Sequence, residues 1–402
     1  MTSDTVQPGA SSLIISPFAR LRDLLGDIAP DGEAIDMTIG EPRHAMPDFI
    51  QNKLCAALDG FAKYPPIRGT LSLRQAIAEW IERRYPDLSG MMDPEAHILP
   101  LNGSREGLFS AIFPAIERRS FAGRPAVLIP NPFYQCYAAA ALAAGAEPIF
   151  LPADKDSAFL PDLNKIDEAV LARTAVIYLC SPSNPQGAVA DRAYLRALIA
   201  LAADHDIMIF ADECYSEIYC NDPPPGALEV AKSVQGDFRR VLAFNSLSKR
   251  SNLPGLRSGF VAGDEDFIKV FSGFRNVTCP QIPLPIQNVS EAVWRDEEHV
   301  SASRARYVEK FSIAENIIKR LFEYSPPDGG FFLWLNVRKW GGGERVATTL
   351  WKECSVKVLP GAYLAQSEID GSNPGSDFVR IALVHDSGTT ERALKRIVKT
   401  LG

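Results

Sequence analysis

The chain has 402 residues, 46% hydrophobic and 23% charged, a composition that supports a well-packed core and implies one large unit with a smaller partner. Its net charge is −7 with no long basic block, which excludes nucleic acid as the main partner. Seven cysteines without a CxxC pair fit reduced thiols in the cytoplasm better than disulfides or a metal site.

MTSDTVQPGASSLIISPF, at the start of the chain, lacks the basic and apolar regions of a signal peptide, and no apolar run is long enough to span a bilayer. FARLRDLL (18–25) has helical spacing, and a loop with IGEPRHAMP (39–47) follows. HILPLNGSREGLFSAIF (97–113) reads as a strand, a glycine turn and a helix starting near Ser104. Such a helix start, with free backbone amides, suits an anion, although Gly-Ser before a helix is also ordinary capping. Short apolar runs then follow at 126–130, 147–152, 175–180, 207–213, 241–246 and 259–264. Most lack polar alternation, as expected for strands covered on both faces. Helical segments such as Arg192–His205 lie between several of them, giving repeated βα units. After residue 285 the pattern changes to helical stretches at 286–296 and 298–323, strand candidates at 331–337, 356–360 and 378–384, and a closing helix at 389–401. The predicted fold is α/β: a large domain with a mostly parallel seven-stranded sheet between helices, plus a smaller α+β domain. The boundaries are 1–44 for an N-terminal arm and part of the small domain, 45–285 for the large domain and 286–402 for the C-terminal small domain.

Polar residues recur where apolar strands end, the edge at which open α/β sheets bind ligands. SPSNPQG holds Asn184, DECY holds Asp212 and Tyr215, and SLSK holds Ser246 and Lys249. A single aspartate there commonly caps a helix, and a single lysine is commonly solvated. Together they describe a pocket. Lys249 beside another cation, for which Arg257 is the candidate, becomes a nucleophilic amine, and the planar fork of Arg257 also suits a phosphate. Asp212 is a carboxylate for a heteroaromatic ring nitrogen, and Tyr134 in NPFYQCY is placed to stack on a planar ring. No Walker A motif and no GxGxxG opening a helix is present. A lysine nucleophile, a ring-nitrogen carboxylate and a phosphate cup of Ser104, Ser246 and Arg257 match the needs of pyridoxal 5'-phosphate.

With SxSK(x7)R, the upstream NPxG and DxxY, the chain resembles the class I/II aminotransferases of fold type I over nearly its whole length. The resemblance implies that Lys249 binds the cofactor covalently and that Asp212 pairs with its ring nitrogen. It also implies that Asn184 and Tyr215 bond the ring hydroxyl, Tyr134 stacks on the ring, and Gly103, Ser104, Arg105, Ser246 and Arg257 hold the phosphate. Lys249, Asp212 and Tyr215 are the implied catalytic residues. Tyr64, in KYPPIRGT, matches a tyrosine that reaches the phosphate of a neighbouring subunit, implying a homodimer with shared active sites. Arg380 matches the arginine for the substrate α-carboxylate, and its place inside the apolar FVRIALV agrees, because an unpaired buried charge is costly. Gly40 matches a loop glycine near the substrate, and Asn184 faces substrate as well as cofactor. The wording around the lysine, with DECYSEIY and GEPRH, is similar to the proteobacterial N-succinyldiaminopimelate aminotransferases, with Asn245 where those carry histidine. Arg43, after GEP, is either a ligand for a distal carboxylate or a surface cation. The substrates implied are an amino acid and a 2-oxo acid. The same scaffold also serves aspartate and aromatic aminotransferases and carbon–sulfur β-lyases, so fold and cofactor leave the substrate open. A non-catalytic, cofactor-binding regulator normally carries a DNA-binding module, and no basic helix-turn-helix segment precedes residue 40. All five histidines read as structural.

Overall fold

The computed structural model describes residues 15–402. Its strands are β1 (Ile35–Asp36), β2 (Ile98–Leu101), β3 (Ala126–Asn131), β4 (Glu147–Pro152), β5 (Thr174–Cys180), β6 (Met208–Asp212), β7 (Val241–Ser246), β8 (Gly259–Gly263), β9 (Phe332–Asn336), β10 (Val356–Lys357), β11 (Leu359–Pro360) and β12 (Phe378–Ala382). Seven of them form one sheet in the order β2-β8-β7-β6-β5-β3-β4. Only β8 runs antiparallel to its neighbours.

Side-chain alternation explains why the central strands read as unbroken apolar runs. Ile209, Ala211, Val241 and Ala243 join the core on one face, with the helices Arg192–His205 and Ala227–Gln235. Met208, Phe210, Leu242 and Phe244 join the core on the other, with Gln135–Ala143 and Glu265–Thr278. Both faces are covered, so neither needs polar residues. Asp191 and Asp264 cap two of these helices by accepting from the backbone N–H of Tyr194 and Phe267.

The smaller unit holds the antiparallel sheet β11-β12-β9 and the parallel pair β1-β10. The helices Glu298–Ile318, Gly343–Cys354 and Ser387–Leu401 enclose its core, to which Ile35 and Met37 of the N-terminal segment contribute.

Three elements differ from the sequence reading. The expected strand at 356–360 is split, because Val356–Lys357 pairs with β1 whereas Leu359–Pro360 pairs with β12. Leu71–Arg84 is a fourteen-residue helix that the sequence reading passes over, capped by Thr70 and buried through Leu73, Ile77, Trp80 and Ile81. Leu284–Arg295 was expected in the smaller unit from residue 286. It packs instead on Leu71–Arg84, and its Val289, Val293 and Trp294 belong to the core of the large sheet. The indole of Trp294 is fully buried, 4.9 Å from Trp80 and 5.1 Å from Phe260 between ring centroids. Trp294→Ala is expected to lower stability by about 3–5 kcal/mol. A loss under 1 kcal/mol in chemical denaturation would contradict this packing role.

Candidate active site

Because β2, β3, β5, β6 and β7 are mutually parallel, their carboxyl ends share one edge. The smaller sheet closes over that edge and leaves a cavity of about 500 Å³. Eleven of the residues expected at the site line it: Gly40, Ser104, Arg105, Tyr134, Asn184, Asp212, Tyr215, Ser246, Lys249, Arg257 and Arg380.

Asp212 ends β6 and is buried. Tyr137 donates its hydroxyl to Oδ2 at 2.7 Å and the Cys214 backbone N–H donates to Oδ1 at 3.3 Å. Burial raises the carboxyl pKa, while these hydrogen bonds and the Lys249 charge oppose the rise. Lys249 stands one short turn beyond β7 and donates from Nζ to the Gly40 carbonyl. Desolvation, assisted by the Arg380 charge and opposed by Cys214 and Glu41, pushes its amine down to about 8. The close approach of the Gly40 loop needs glycine, since a Cβ there would lie 2.7 Å from Phe332 Cζ.

Arg380 sits on β12 opposite Trp334 of β9 and is 4% exposed. It donates to Asn184 Oδ1 at 2.9 Å and to the Thr38 carbonyl at 2.6 Å, and Phe332 lies 4.3 Å from its guanidinium carbon. Its Nε has no partner, and burial lowers its pKa to about 10, so it stays charged at neutral pH. Arg257, in a left-handed conformation just before β8, donates to the carbonyls of Pro254 (3.0 Å) and Asn102 (3.1 Å). A Cβ on Gly103 (φ +80°) would lie 2.5 Å from Arg257 Nη2, so this glycine keeps the arginine against the turn. Arg105 donates to the Tyr134 hydroxyl. Ser246 Oγ donates to the Ser258 carbonyl at 3.2 Å, 2.9 Å from Ser248 Oγ. Among the described residues, none of Arg105, Asp212, Lys249, Arg257 and Arg380 forms an ion pair.

Two expected residues lie elsewhere. Tyr64 is fully exposed, in a segment where Leu58 and Phe61 are also exposed. Arg43 does not line the cavity. Its Nη1 rests 3.1 Å from both ring nitrogens of His385, which contacts the Asp36 carbonyl at 2.8 Å. Tyr137, Cys214, Thr38 and Phe332 were not singled out in the sequence. Tyr137 and Cys214 stand inside NPFYQCY and DECY, but their importance comes from partners distant in the chain.

Residues 32–397 match the family model for aminotransferase class I and II. The chain belongs to the class I and II aminotransferases. It is a pyridoxal-phosphate-dependent transaminase, acting on amino and oxo acids. The LL-diaminopimelate aminotransferase of Dehalococcoides mccartyi is 30% identical over 91% of this chain and 90% of its own. An aminotransferase structure from Neisseria meningitidis is 40% identical, with a TM-score of 0.92 over 98% of this chain and all of its own. A Thermus thermophilus structure, described as a probable N-succinyldiaminopimelate aminotransferase, is 26% identical with a TM-score of 0.84, over 96% of this chain and 100% of its own. No helix among the described residues is long and apolar enough to cross a membrane.

The cavity's charges fit the cofactor, because a buried carboxyl without an ion-pair partner suits a protonated ring nitrogen, and arginines without ion pairs beside serine hydroxyls suit a phosphate. With the Lys249 amine near 8, the rate at which apoprotein captures pyridoxal phosphate is expected to rise about tenfold per pH unit below 8 and to level off above it. A stopped-flow absorbance series would show this; a rate still climbing at pH 10 would mean an ordinary lysine.

Proposed function

We propose that this aminotransferase moves the amino group of N-succinyl-LL-2,6-diaminopimelate to 2-oxoglutarate, giving N-succinyl-2-amino-6-oxopimelate and glutamate, in diaminopimelate and lysine biosynthesis. The similarity to aminotransferases of the diaminopimelate type supports the pathway. The charge of the cavity supports the succinylated substrate. Asp212 is the one carboxylate among the described residues that line it, and the ring nitrogen requires that group. Unacylated diaminopimelate would bring a distal ammonium with no carboxylate to receive it. Succinylation turns that ammonium into a neutral amide and adds an anion. The names of the curated relatives favour the unacylated compound as the second reading.

Bound pyridoxal phosphate supplies the electron sink that makes the substrate Cα–H acidic. In the proposed arrangement Asp212 keeps the ring nitrogen protonated, Asn184 and Tyr215 hold the ring hydroxyl, and Tyr134 stacks on the ring. Ser104, Arg105, Ser246 and Arg257, with the Gly103 turn, receive the phosphate. Arg380 receives the α-carboxylate as a two-pronged donor, which fixes the direction of the Cα–H beside Gly40. Lys249 would hold the cofactor, and its amine when free would be the base that carries the substrate's Cα proton. A homodimer in which Tyr64 reaches the phosphate of a second copy accounts for the wholly exposed Tyr64 ring beside exposed Leu58 and Phe61. A cytoplasmic location fits seven cysteines that are all free.

Half-reactions followed by the cofactor's visible absorbance test the assignment. N-succinyl-LL-diaminopimelate is expected to convert the band at least tenfold faster than LL-diaminopimelate, aspartate or tyrosine. Faster conversion by any of those three would overturn the succinyl assignment and leave the transaminase intact. Arg380→Ala is expected to reduce kcat/KM by about two to three orders of magnitude, the cost of removing one side of a buried ion pair. A loss under fivefold would show that the carboxylate binds elsewhere.

A further inference from the structure

Cys214 lies between Asp212 and Tyr215 and lines the same cavity. Its Sγ donates to Ser104 Oγ at 3.0 Å, and its backbone N–H donates to Asp212 Oδ1 at 3.3 Å. One residue therefore touches both the carboxylate assigned to the ring nitrogen and the hydroxyl assigned to the phosphate. These two groups come from distant parts of the chain, the end of β6 and the turn after β2.

A serine hydroxyl has one proton and two lone pairs. When the thiol occupies one lone pair, the serine proton remains to be donated, and accepting one hydrogen bond strengthens the donation of the other. Cys214 is buried, and burial pushes its thiol well above the ordinary range, so it stays protonated and remains a donor.

We propose that Cys214 is a positioning residue for pyridoxal phosphate: its thiol orients the Ser104 hydroxyl toward the phosphate while its backbone fixes Asp212 toward the ring. The inference rests on the assignment of Ser104 to the phosphate. An alanine at this position keeps the backbone link to Asp212 but loses the thiol, with its hydrogen bond to Ser104 and its contact with the Asp212 carboxyl, whereas a serine keeps a donor on a shorter arm.

The test is cofactor affinity, read by titrating apoprotein with pyridoxal phosphate and following the quenching of tryptophan fluorescence, and by the rate of cofactor release from the loaded protein. Cys214→Ala is expected to raise Kd about three- to tenfold, the range for losing one hydrogen bond with a weak donor, with faster release. Cys214→Ser is expected to recover part of the loss. In a Ser104→Ala background, Cys214→Ala should add clearly less than it does alone. Equal loosening by Cys214→Ala in both backgrounds would overturn the inference while leaving Ser104 as a phosphate ligand. A Ser104→Ala protein with wild-type Kd would overturn the Ser104 assignment and the inference with it. Melting curves of the apoproteins separate affinity from folding. An alanine variant that melts early, with a serine variant that melts normally yet binds no better, would also overturn the proposal.

Discussion

Asp212 and Arg380 are a buried acid and a buried base in one cavity, and they form no ion pair with each other or with any other described residue. A buried charge without a counter-charge is costly, and the usual remedy is a nearby partner. Elsewhere the protein applies that remedy. Arg84 meets Glu217 at 2.6 Å, Arg275 meets Glu106 through two hydrogen bonds, and Arg250 meets Glu297 at 2.6 Å. In the cavity the direct contacts come from neutral groups. Tyr137 and the Cys214 amide serve Asp212, while Asn184, the Thr38 carbonyl and the Phe332 ring serve Arg380. Asp212 suits a cation and Arg380 an anion. In the proposed arrangement a protonated ring nitrogen and an amino-acid carboxylate would supply both.

Three distant stretches of chain must meet for this to work. The parallel strands bring Asp212, Asn184 and Lys249 to one edge. The antiparallel β8 returns the chain there, so that Arg257 precedes it on the same side. The smaller sheet supplies Arg380, and the N-terminal segment supplies Thr38 and Gly40, tied to that sheet through β1 and β10. Arg380 therefore reports on the docking of the smaller unit. Its guanidinium bonds Asn184 of the large unit and Thr38 of the segment that joins them.

The legible parts of the sequence were those in which neighbours in the chain decide the outcome. Apolar runs of strand length and a glycine turn gave the seven strands of the large sheet and, among its helices, Arg192–His205 and the one starting near Ser104. The residues at strand ends gave much of the cavity's polar lining, because the carboxyl edge of a parallel sheet is set by topology. What escaped depended on tertiary partners. The helix Leu71–Arg84 mixes five charged side chains with its apolar stripe. β1 is two residues long and exists only through its pairing with β10. The helix Leu284–Arg295 was assigned by its place in the chain, whereas the burial of Trp294 against Trp80 decides where it belongs. Arg43, open in the sequence between a ligand for a distal carboxylate and a surface cation, has its guanidinium against a histidine 342 residues away. Tyr137 and Cys214 act on Asp212 and Ser104 through space, which no local pattern records.

The central claim is that Lys249 is the amine that holds the cofactor in this cavity. Borohydride reduction of the protein loaded with pyridoxal phosphate, followed by proteolysis and peptide mass spectrometry, tests it most directly. One pyridoxyl group per chain is expected, on the peptide containing Lys249. A label on another lysine, or none with the cofactor bound, would contradict it.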